Sequence, residues 1–232
     1  GSEMCIRDSL IWGRNPETVA EINSSHTNDR YLAGQVLPAN LRATTDLDEA
    51  FAFSQTYVLA IPSTQLRTML NEWKSRFSAD CTIVSTLKGI EVSTMMRMTE
   101  IIEEVLGKHK VALLTGPNLA DELILRQPAG AVAASTSMEV SEYVRDLFRT
   151  PYYRVYTSVD LLGCELAGAI KNVIALAVGI SIGMGYGENT QAMLITRGLN
   201  EVARLCAAHG SDPLSAACLL YTSDAADEED SV

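Results

Sequence analysis

Short apolar runs alternate with longer amphipathic runs from Leu10 to Tyr156, and this alternation constrains the fold more than any other feature of the sequence. The apolar runs, such as TYVLAIPS at 56–63, are nearly continuous, which is typical of strands that are buried on both faces. The runs between them carry apolar residues at helical spacing. Strands that alternate with helices predict an α/β fold, in which helices cover a parallel sheet.

The pattern changes after Asp160, because no further strand is visible and two long helices follow at about 161–182 and 189–209. We therefore predict two domains, an α/β domain at 10–160 and the start of an all-α domain at 161–217.

One apparent dinucleotide-binding motif is excluded. The glycines of GMGYGEN lack the spacing of a dinucleotide fingerprint, since Glu188 stands where it requires glycine, and they predict a turn between the helices.

Both ends of the chain differ in character from the rest. Residues 1–9 (GSEMCIRDS) and 218–232 (CLLYTSDAADEEDSV) resemble translated adapter sequence from metagenomic library preparation. We interpret them as an artefactual leader and tail, which makes the remainder an internal fragment. Without them, 17 basic and 22 acidic residues remain, and the net charge falls from −11 to −5. The negative sign argues against nucleic acid or an anionic membrane as a partner.

Cysteines and apolar runs bear on the compartment. Cys81, Cys164 and Cys206 are far apart, form no C-x-x-C pair and have no histidine close by in sequence. This spacing predicts reduced thiols in a cytoplasmic protein and no metal site. The longest uninterrupted apolar run, Val173–Gly183, is too short to span a bilayer.

Ligands of open parallel sheets bind outside the carboxyl ends of the strands, so polar residues at these ends are candidates for a site. Arg14 follows the first visible strand with no acidic residue beside it. In a dinucleotide-binding domain, an arginine there pairs with the 2′-phosphate of NADP, whereas an acid favours NAD. An exposed arginine at a helix start explains the position equally well.

Three more strand ends carry candidates. The segment IPS at 61–63 ends one strand, and Lys88 follows the next, where an ammonium attracts phosphate or carbonyl oxygens. A solvated turn lysine is the commoner explanation of Lys88. In TGPNLADE at 115–122, a Gly-Pro turn leads into a helix N-terminus, which favours anions. Asn118 in this segment either contacts a ligand or caps the helix, and its position alone favours the cap.

Lys171 and Asn172 stand near the middle of a long apolar stretch, 163–185. A lysine in a buried helix reaches water, pairs with an acid, or is retained for its chemistry. Burial lowers the pKa of a lysine, and a lysine tuned toward neutrality is a good general acid or base. Lys171 is therefore a candidate catalytic residue.

Taken together, these segments resemble the bacterial-type NAD(P)-dependent glycerol-3-phosphate dehydrogenases over about 10–217. The resemblance rests on motifs in family order, namely WGRNPE, IPS, TLKGIE, TGPNLADE, GAIKNVIALAVGISIGMGYGENTQAMLITRGLNE and AAHGSDP. It implies a truncated Rossmann-like dinucleotide-binding domain followed by a partial all-α domain. It also implies the family's reaction, in which NADPH or NADH reduces dihydroxyacetone phosphate to sn-glycerol 3-phosphate for phospholipid synthesis.

The resemblance also implies roles for single residues. Lys171 matches the family's catalytic lysine, which donates a proton to the ketone oxygen on reduction and accepts one on oxidation. Asn118 is a weaker match, since the family more often has Ser or Thr there. The implied contacts are to the cofactor from Arg14, Lys88 and Ala120, and to the substrate from Lys88, Gly116, Asn118 and Lys171.

The chain also departs from the family pattern. The family's first strand and Gly-rich pyrophosphate turn are missing, as are its downstream Gly-Leu-Gly-Asp segment and Arg-Asn pair. We therefore predict weak or no activity for this chain and an active, cytoplasmic parent enzyme, with a homodimer as the candidate assembly. Three alternatives remain: a related hydroxyacid-dehydrogenase-type reductase with another substrate, a non-catalytic NADP- or phosphate-binding module, and an inert fragment.

Overall fold

The computed structural model describes residues 8–213 and residue 215. The chain divides into two compact units. The first comprises the residues up to Gln55 together with Arg76–Ser78, and the second comprises Thr56–Ser75 and the chain from Ala79 onward. Residues 1–7 of the predicted leader and the whole predicted tail lie outside the described residues, whereas Ser9 of the leader opens the first strand.

The first unit is a small parallel strand pair with its helices. Its elements are β1 (Ser9–Trp12), α1 (Pro16–Ser25), β2 (Leu41–Thr44) and α2 (Leu47–Phe53). The strands β1 and β2 pair in parallel over their whole length. The Asn15 side chain caps α1 by accepting from the backbone N–H groups of Glu17 and Thr18, and Pro16 is the first helical residue. Both residue types are favoured at these positions of a helix.

The second unit is built on five strands in the order β3-β4-β5-β6-β7. Two single 3₁₀ turns, Ser63–Gln65 and Lys74–Arg76, flank the helix Leu66–Trp73. The strands are β3 (Thr56–Leu59), β4 (Thr82–Ser85), β5 (Lys110–Thr115), β6 (Ala129–Ala134) and β7 (Tyr153–Ser158). The helices are α3 (Leu66–Trp73), α4 (Met98–Leu106), α5 (Ala120–Ile124), α6 (Met138–Phe148), α7 (Leu161–Gly183) and α8 (Glu188–Ala208).

The five-stranded sheet is mixed, so the prediction of an all-parallel sheet is wrong at one pair of strands. The pairs β3–β4 and β4–β5 are parallel, but β6 runs antiparallel to β5. The last pair, β6–β7, is parallel again. The connection from β5 to β6 carries only the five-residue helix α5 and brings the chain back at the same edge of the sheet. Hydrophobic patterning reports that a strand is buried but does not report its direction.

Helices cover both faces of this sheet. Alternate residues of β5 and β6 point to opposite sides, so each strand contributes side chains to both packed faces. On one face, Leu113, Val132 and Ala134 pack against apolar residues of α7 and α8. On the other face, the cluster includes Ala112, Leu114, Ala131, Ala133 and two valines of α6, Val140 and Val144. The sheet is thus held between the α7–α8 pair and α6, which places α7 directly against the end of β5.

Helix α7 is buried only in its first third. Its buried residues are Leu161, Gly163–Gly168 and Ser181, and most side chains beyond Lys171 are exposed. By length and composition alone α7 is apolar enough to cross a membrane, although its uninterrupted apolar run, Val173–Gly183, is shorter than a span. The helix also includes the apolar residues before Lys171. Within the apolar window that meets this criterion 22% is buried, and the first third of the helix packs on β5 and β6.

The carboxylate of Asp160 holds the start of α7 to the segment that follows α8. It accepts hydrogen bonds from the backbone N–H groups of Gly163 and Asp212 and from the hydroxyls of Ser211 and Ser215. Partial burial raises the pKa of Asp160, but the four hydrogen bonds outweigh burial and hold the pKa below its ordinary 3.8. The ionised carboxylate is therefore the form that the fold stabilises.

We expect Asp160→Ala to lower the free energy of unfolding by about 2 kcal/mol near neutral pH, because hydrogen bonds to a charged acceptor are lost. Since the pKa is lowered in the folded state, this contribution is present above the unfolded-state pKa and is lost as pH falls through the folded-state pKa. Urea unfolding of wild type and variant should therefore converge well below pH 3.8. The exposed Asp80 is the matched control, and a difference that does not vary with pH would contradict this account.

Candidate active site

The candidate site lies where the carboxyl ends of β4 and β5 meet α7. Lys88 follows β4, and Gly116 follows β5 directly. Gly168 lets α7 approach this edge closely, because a Cβ at this position would lie 2.9 Å from the Thr115 hydroxyl oxygen. Lys171 is three residues further along α7, about one turn, and is carried to the same edge.

Two lysine amines converge at this point. The Lys88 Nζ donates a hydrogen bond to the Gly116 carbonyl oxygen at 3.3 Å. Burial, and then the positive charge and a hydrogen bond of Lys171, lower the pKa of Lys88 from its ordinary 10.5. Gly116 also lines the same cavity as Lys171, so both amines lie at one small site that can attract an anion.

A cavity of about 470 Å³ opens beside the lysines. Thr115, Gly116, Pro117 and Lys171 form its polar end, and apolar residues of α7 and α8 form the rest. Lys171 is the one ionisable side chain in this lining, within the part of the chain that the structure describes. The ammonium thus faces a largely apolar space, in which its electrostatic effect on a bound group is stronger than in water.

Gly116 and Asn118 are held by the neighbouring strands. A Cβ on Gly116 would lie 2.6 Å from the Gly130 carbonyl oxygen, so only glycine fits there without a shift of β6. The Asn118 Oδ1 accepts a hydrogen bond from the Tyr153 hydroxyl at 2.9 Å. The interpretation of Asn118 as a helix cap is wrong, because Leu119 is the N-cap residue of α5 and no side chain caps it.

The sequence analysis missed Tyr153. Burial raises the pKa of Tyr153 to about 12, against a smaller opposite effect of Asn118, so its hydroxyl keeps its proton in neutral solution. The sequence carries no signal of the hydrogen bond between Tyr153 and Asn118. Tyr153 is the first residue of β7, and only the pairing of β7 with β6 brings it to the Gly-Pro turn.

The remaining predicted cofactor residues lie at exposed positions. Ala120 is the first residue of α5, in the same unit as the lysines. Arg14 is exposed and belongs to the first unit, where it precedes the cap residue Asn15. The IPS segment does reach the lysine edge, since a Cβ on Gly89 would lie 3.7 Å from the Ser63 hydroxyl oxygen. The structure therefore brings together Lys88, Gly116 and Lys171, with Asn118 two residues beyond Gly116.

The most deeply buried charge of α7 is Glu165, which the sequence analysis did not single out. Glu165 is 3% exposed. Its carboxylate accepts hydrogen bonds from the Thr99 N–H at 2.9 Å, from the Thr99 hydroxyl and from the Arg97 guanidinium at 2.8 Å. Burial raises the pKa of Glu165, against opposing contributions from Thr99 and Arg97. A carboxylate inside a small-residue helix was the available signal, because such a charge requires a buried partner.

Cys81, Cys164 and Cys206 are buried and form no disulfide with one another. Among residues 8–213 and 215, no group of three His, Cys, Asp or Glu side chains is arranged to hold a metal ion.

Two family models match most of the chain. The model of the NAD-dependent glycerol-3-phosphate dehydrogenase N-terminus matches residues 5–141, and that of the C-terminus matches residues 160–226. The chain belongs to the NAD-dependent glycerol-3-phosphate dehydrogenase family. Both matches extend some residues into the predicted leader and tail, and the predicted domain limits stay a prediction.

Individual members of the NAD-dependent glycerol-3-phosphate dehydrogenase family show the same relationship. The chain is 49% identical over 209 residues to glycerol-3-phosphate dehydrogenase [NAD(P)+] of Thermobifida fusca and 48% identical over 210 residues to that of Streptomyces avermitilis. These matches cover 89% and 90% of this chain but 62% of each relative. The chain therefore spans about three fifths of the length of these relatives.

A solved structure confirms the fold class. The glycerol-3-phosphate dehydrogenase of Coxiella burnetii superimposes with a TM-score of 0.82 at 30% sequence identity, over 89% of this chain and 63% of that one. The predicted α/β fold, a Rossmann-like sheet followed by helices, is thus the fold of the family.

Proposed function

We propose that this chain carries the catalytic lysine of an enzyme that uses NADPH or NADH to reduce dihydroxyacetone phosphate to sn-glycerol 3-phosphate. The observation that carries the proposal is geometric: Lys88 donates to the Gly116 carbonyl oxygen, and Gly116 and Lys171 line one cavity at the carboxyl edge of the sheet. Membership of the family supplies the reaction. The product is a backbone for phospholipids, which suits a cytoplasmic enzyme.

The residues at this edge fit a nicotinamide cofactor. The parallel strands β3, β4 and β5 end together there, which is where open sheets of this type hold such ligands. The close approach of Ser63 to Gly89, and the hydrogen bond from Lys88 to Gly116, show that the three strand ends form one continuous surface. Lys88 and Ala120 would hold the cofactor here, and the bound cofactor supplies hydride for the reduction.

Lys171 would act as the general acid. In the direction of reduction, its ammonium holds a proton at Nζ and donates it to the ketone oxygen as the carbonyl carbon is reduced. In the direction of oxidation, the neutral amine accepts the hydroxyl proton.

Lys88, Gly116 and Asn118 would orient the substrate. The Lys88 amine, held on the Gly116 carbonyl, is placed to attract an anionic or carbonyl oxygen. The Asn118 amide is oriented by the Tyr153 hydroxyl, which leaves its NH₂ group as a donor toward a ligand. Arg14, with no acid beside it, supports NADP as the preferred cofactor through the 2′-phosphate.

Dihydroxyacetone-phosphate-dependent oxidation of NADPH and of NADH tests the proposal. It should be measured on this chain and on a version extended at both ends with sequence from the source genome. We expect clear turnover of the extended version, preferentially with NADPH, and weak or no turnover of this chain. If both proteins are folded and bind NADPH but neither turns over, the non-catalytic module is favoured. Turnover with another carbonyl compound instead would favour a related reductase.

A further inference from the structure

Lys88 follows β4, whereas Lys171 lies on α7. A loop that backbone contacts close on itself leads from Lys88 toward α7. The loop begins at Lys88 and ends at Arg97, and Ile90 pairs with Arg97 in an antiparallel bridge. The Glu91 N–H donates to the Met96 carbonyl oxygen at 2.9 Å, which closes the loop a second time. Arg97 is therefore tied to Ile90, which lies two residues after Lys88.

Arg97 joins this loop to α7. Its guanidinium donates to the Glu165 carboxylate at 2.8 Å, and the buried Glu165 also accepts from the backbone and the hydroxyl of Thr99. Glu165 precedes Lys171 by six residues on the same helix, which is about 9 Å along the axis. The end of the Lys88 loop and the helix of Lys171 are thus joined by one buried ion pair.

The rest of the loop is held from the opposite side. Arg67 of α3 donates to both carboxylate oxygens of Glu91 at 2.8–3.1 Å and to Glu104 at 2.7 Å. The Thr94 hydroxyl also donates to Glu91. The loop is thus restrained at Glu91 by Arg67 and at Arg97 by Glu165.

Two neighbouring cationic amines repel each other, so their approach must be maintained by other contacts. We propose that Arg97 and Glu165 are positioning residues, whose buried ion pair sets the separation between Lys88 and Lys171. The inference rests on the proposed function only in that Lys171 is taken as the proton donor. The geometric claim concerns the two amines and needs neither substrate nor turnover.

Titration of the Lys88 amine in the full chain tests the claim. NMR of protein labelled with isotopes in lysine gives the titration midpoint, and the loss of one signal in Lys88→Arg assigns it. Lys171→Met gives the midpoint of Lys88 without its neighbour, and circular dichroism checks folding. The test variant is Glu165→Gln, which keeps the length of the side chain and can still accept from Thr99. The matched control is Glu100→Gln, which removes the other carboxylate on Arg97 without contact to α7.

If the ion pair sets the separation, Glu165→Gln should raise the titration midpoint of Lys88 toward 10.5. The rise should be at least half of that measured in Lys171→Met. Glu100→Gln should leave the midpoint of Lys88 unchanged. Loss of a nearby negative charge alone would lower the midpoint, so the sign separates positioning from simple electrostatics. A fall or no change in folded Glu165→Gln overturns the proposal, as does an equal rise in Glu100→Gln or no rise in Lys171→Met.

A larger perturbation extends the test. Glu165→Ala removes all three hydrogen bonds and should raise the Lys88 midpoint at least as far as Glu165→Gln. If Glu165→Ala does not fold, Glu165→Gln decides the question by itself. If the extended enzyme were inactive while the titrations came out as expected, the result would count against the proposed function and leave the positioning role intact.

Discussion

Lys171→Met should lower kcat for the reduction of dihydroxyacetone phosphate by about 10²–10⁴-fold in the extended enzyme, the range typical of a lost general acid. Methionine has a similar length and fills the same space, but it carries no proton. The dissociation constant for NADPH should change little, because the expected cofactor contacts come from other residues. Steady-state kinetics and a separate NADPH titration measure the two quantities.

Two further variants make this result specific. Lys171→Arg keeps a positive charge, but the guanidinium does not release its proton in proteins, so we expect a loss of kcat close to that of Lys171→Met. Lys74→Met removes an exposed lysine of the same unit and should retain full activity. A Lys171→Met enzyme that keeps more than about a tenth of the wild-type kcat would exclude Lys171 as the general acid.

Gly116→Ala should lower the free energy of unfolding by about 1–3 kcal/mol, the usual cost of inserting atoms into a well-packed site. The added Cβ would lie 2.6 Å from the Gly130 carbonyl oxygen and 2.9 Å from the Ala131 Cα. These are backbone atoms of β6, which cannot rotate away as a side chain can. We also expect reduced turnover, because a shift at Gly116 moves the carbonyl that holds the Lys88 amine.

Gly179→Ala is the matched control, since it makes the same change where a Cβ would meet nothing within 4 Å. Gly179 lies in the interior of α7, so alanine should stabilise the helix by up to about 1 kcal/mol. Urea unfolding under identical conditions compares the two variants with wild type. Equal stabilities of Gly116→Ala and wild type would show that β5 and β6 are less tightly packed than the structure indicates.

The local elements of this protein followed from its sequence. Asn15, Pro16 and Asp46 account for the starts of α1 and α2, because helix capping depends on residues adjacent in sequence. The two long helices also matched, with α7 ending at Gly183 and α8 beginning at Glu188. The ordered motifs identified the family, since their spacing carries more information than any single motif.

The sequence also supplied the candidate residues of the site without their arrangement. It singled out Lys88 from the end of its strand and Lys171 from its apolar surroundings. It could not show that the two amines interact, because that depends on how close α7 comes to β5 through Gly168. The direction of β6 was equally hidden, and it is this direction that brings Tyr153 to Asn118.

By itself, then, the sequence determined the helices, the strands, the family and the candidate lysines, all of which depend on neighbouring residues or on ordered motifs. Only the tertiary structure decided which charge is buried. Glu165, and not Lys171, is the buried charge of α7, because the first third of the helix packs on the sheet and Arg97 reaches Glu165 from a loop 68 residues earlier. Burial and ion pairing across such a distance depend on packing, which local sequence does not encode.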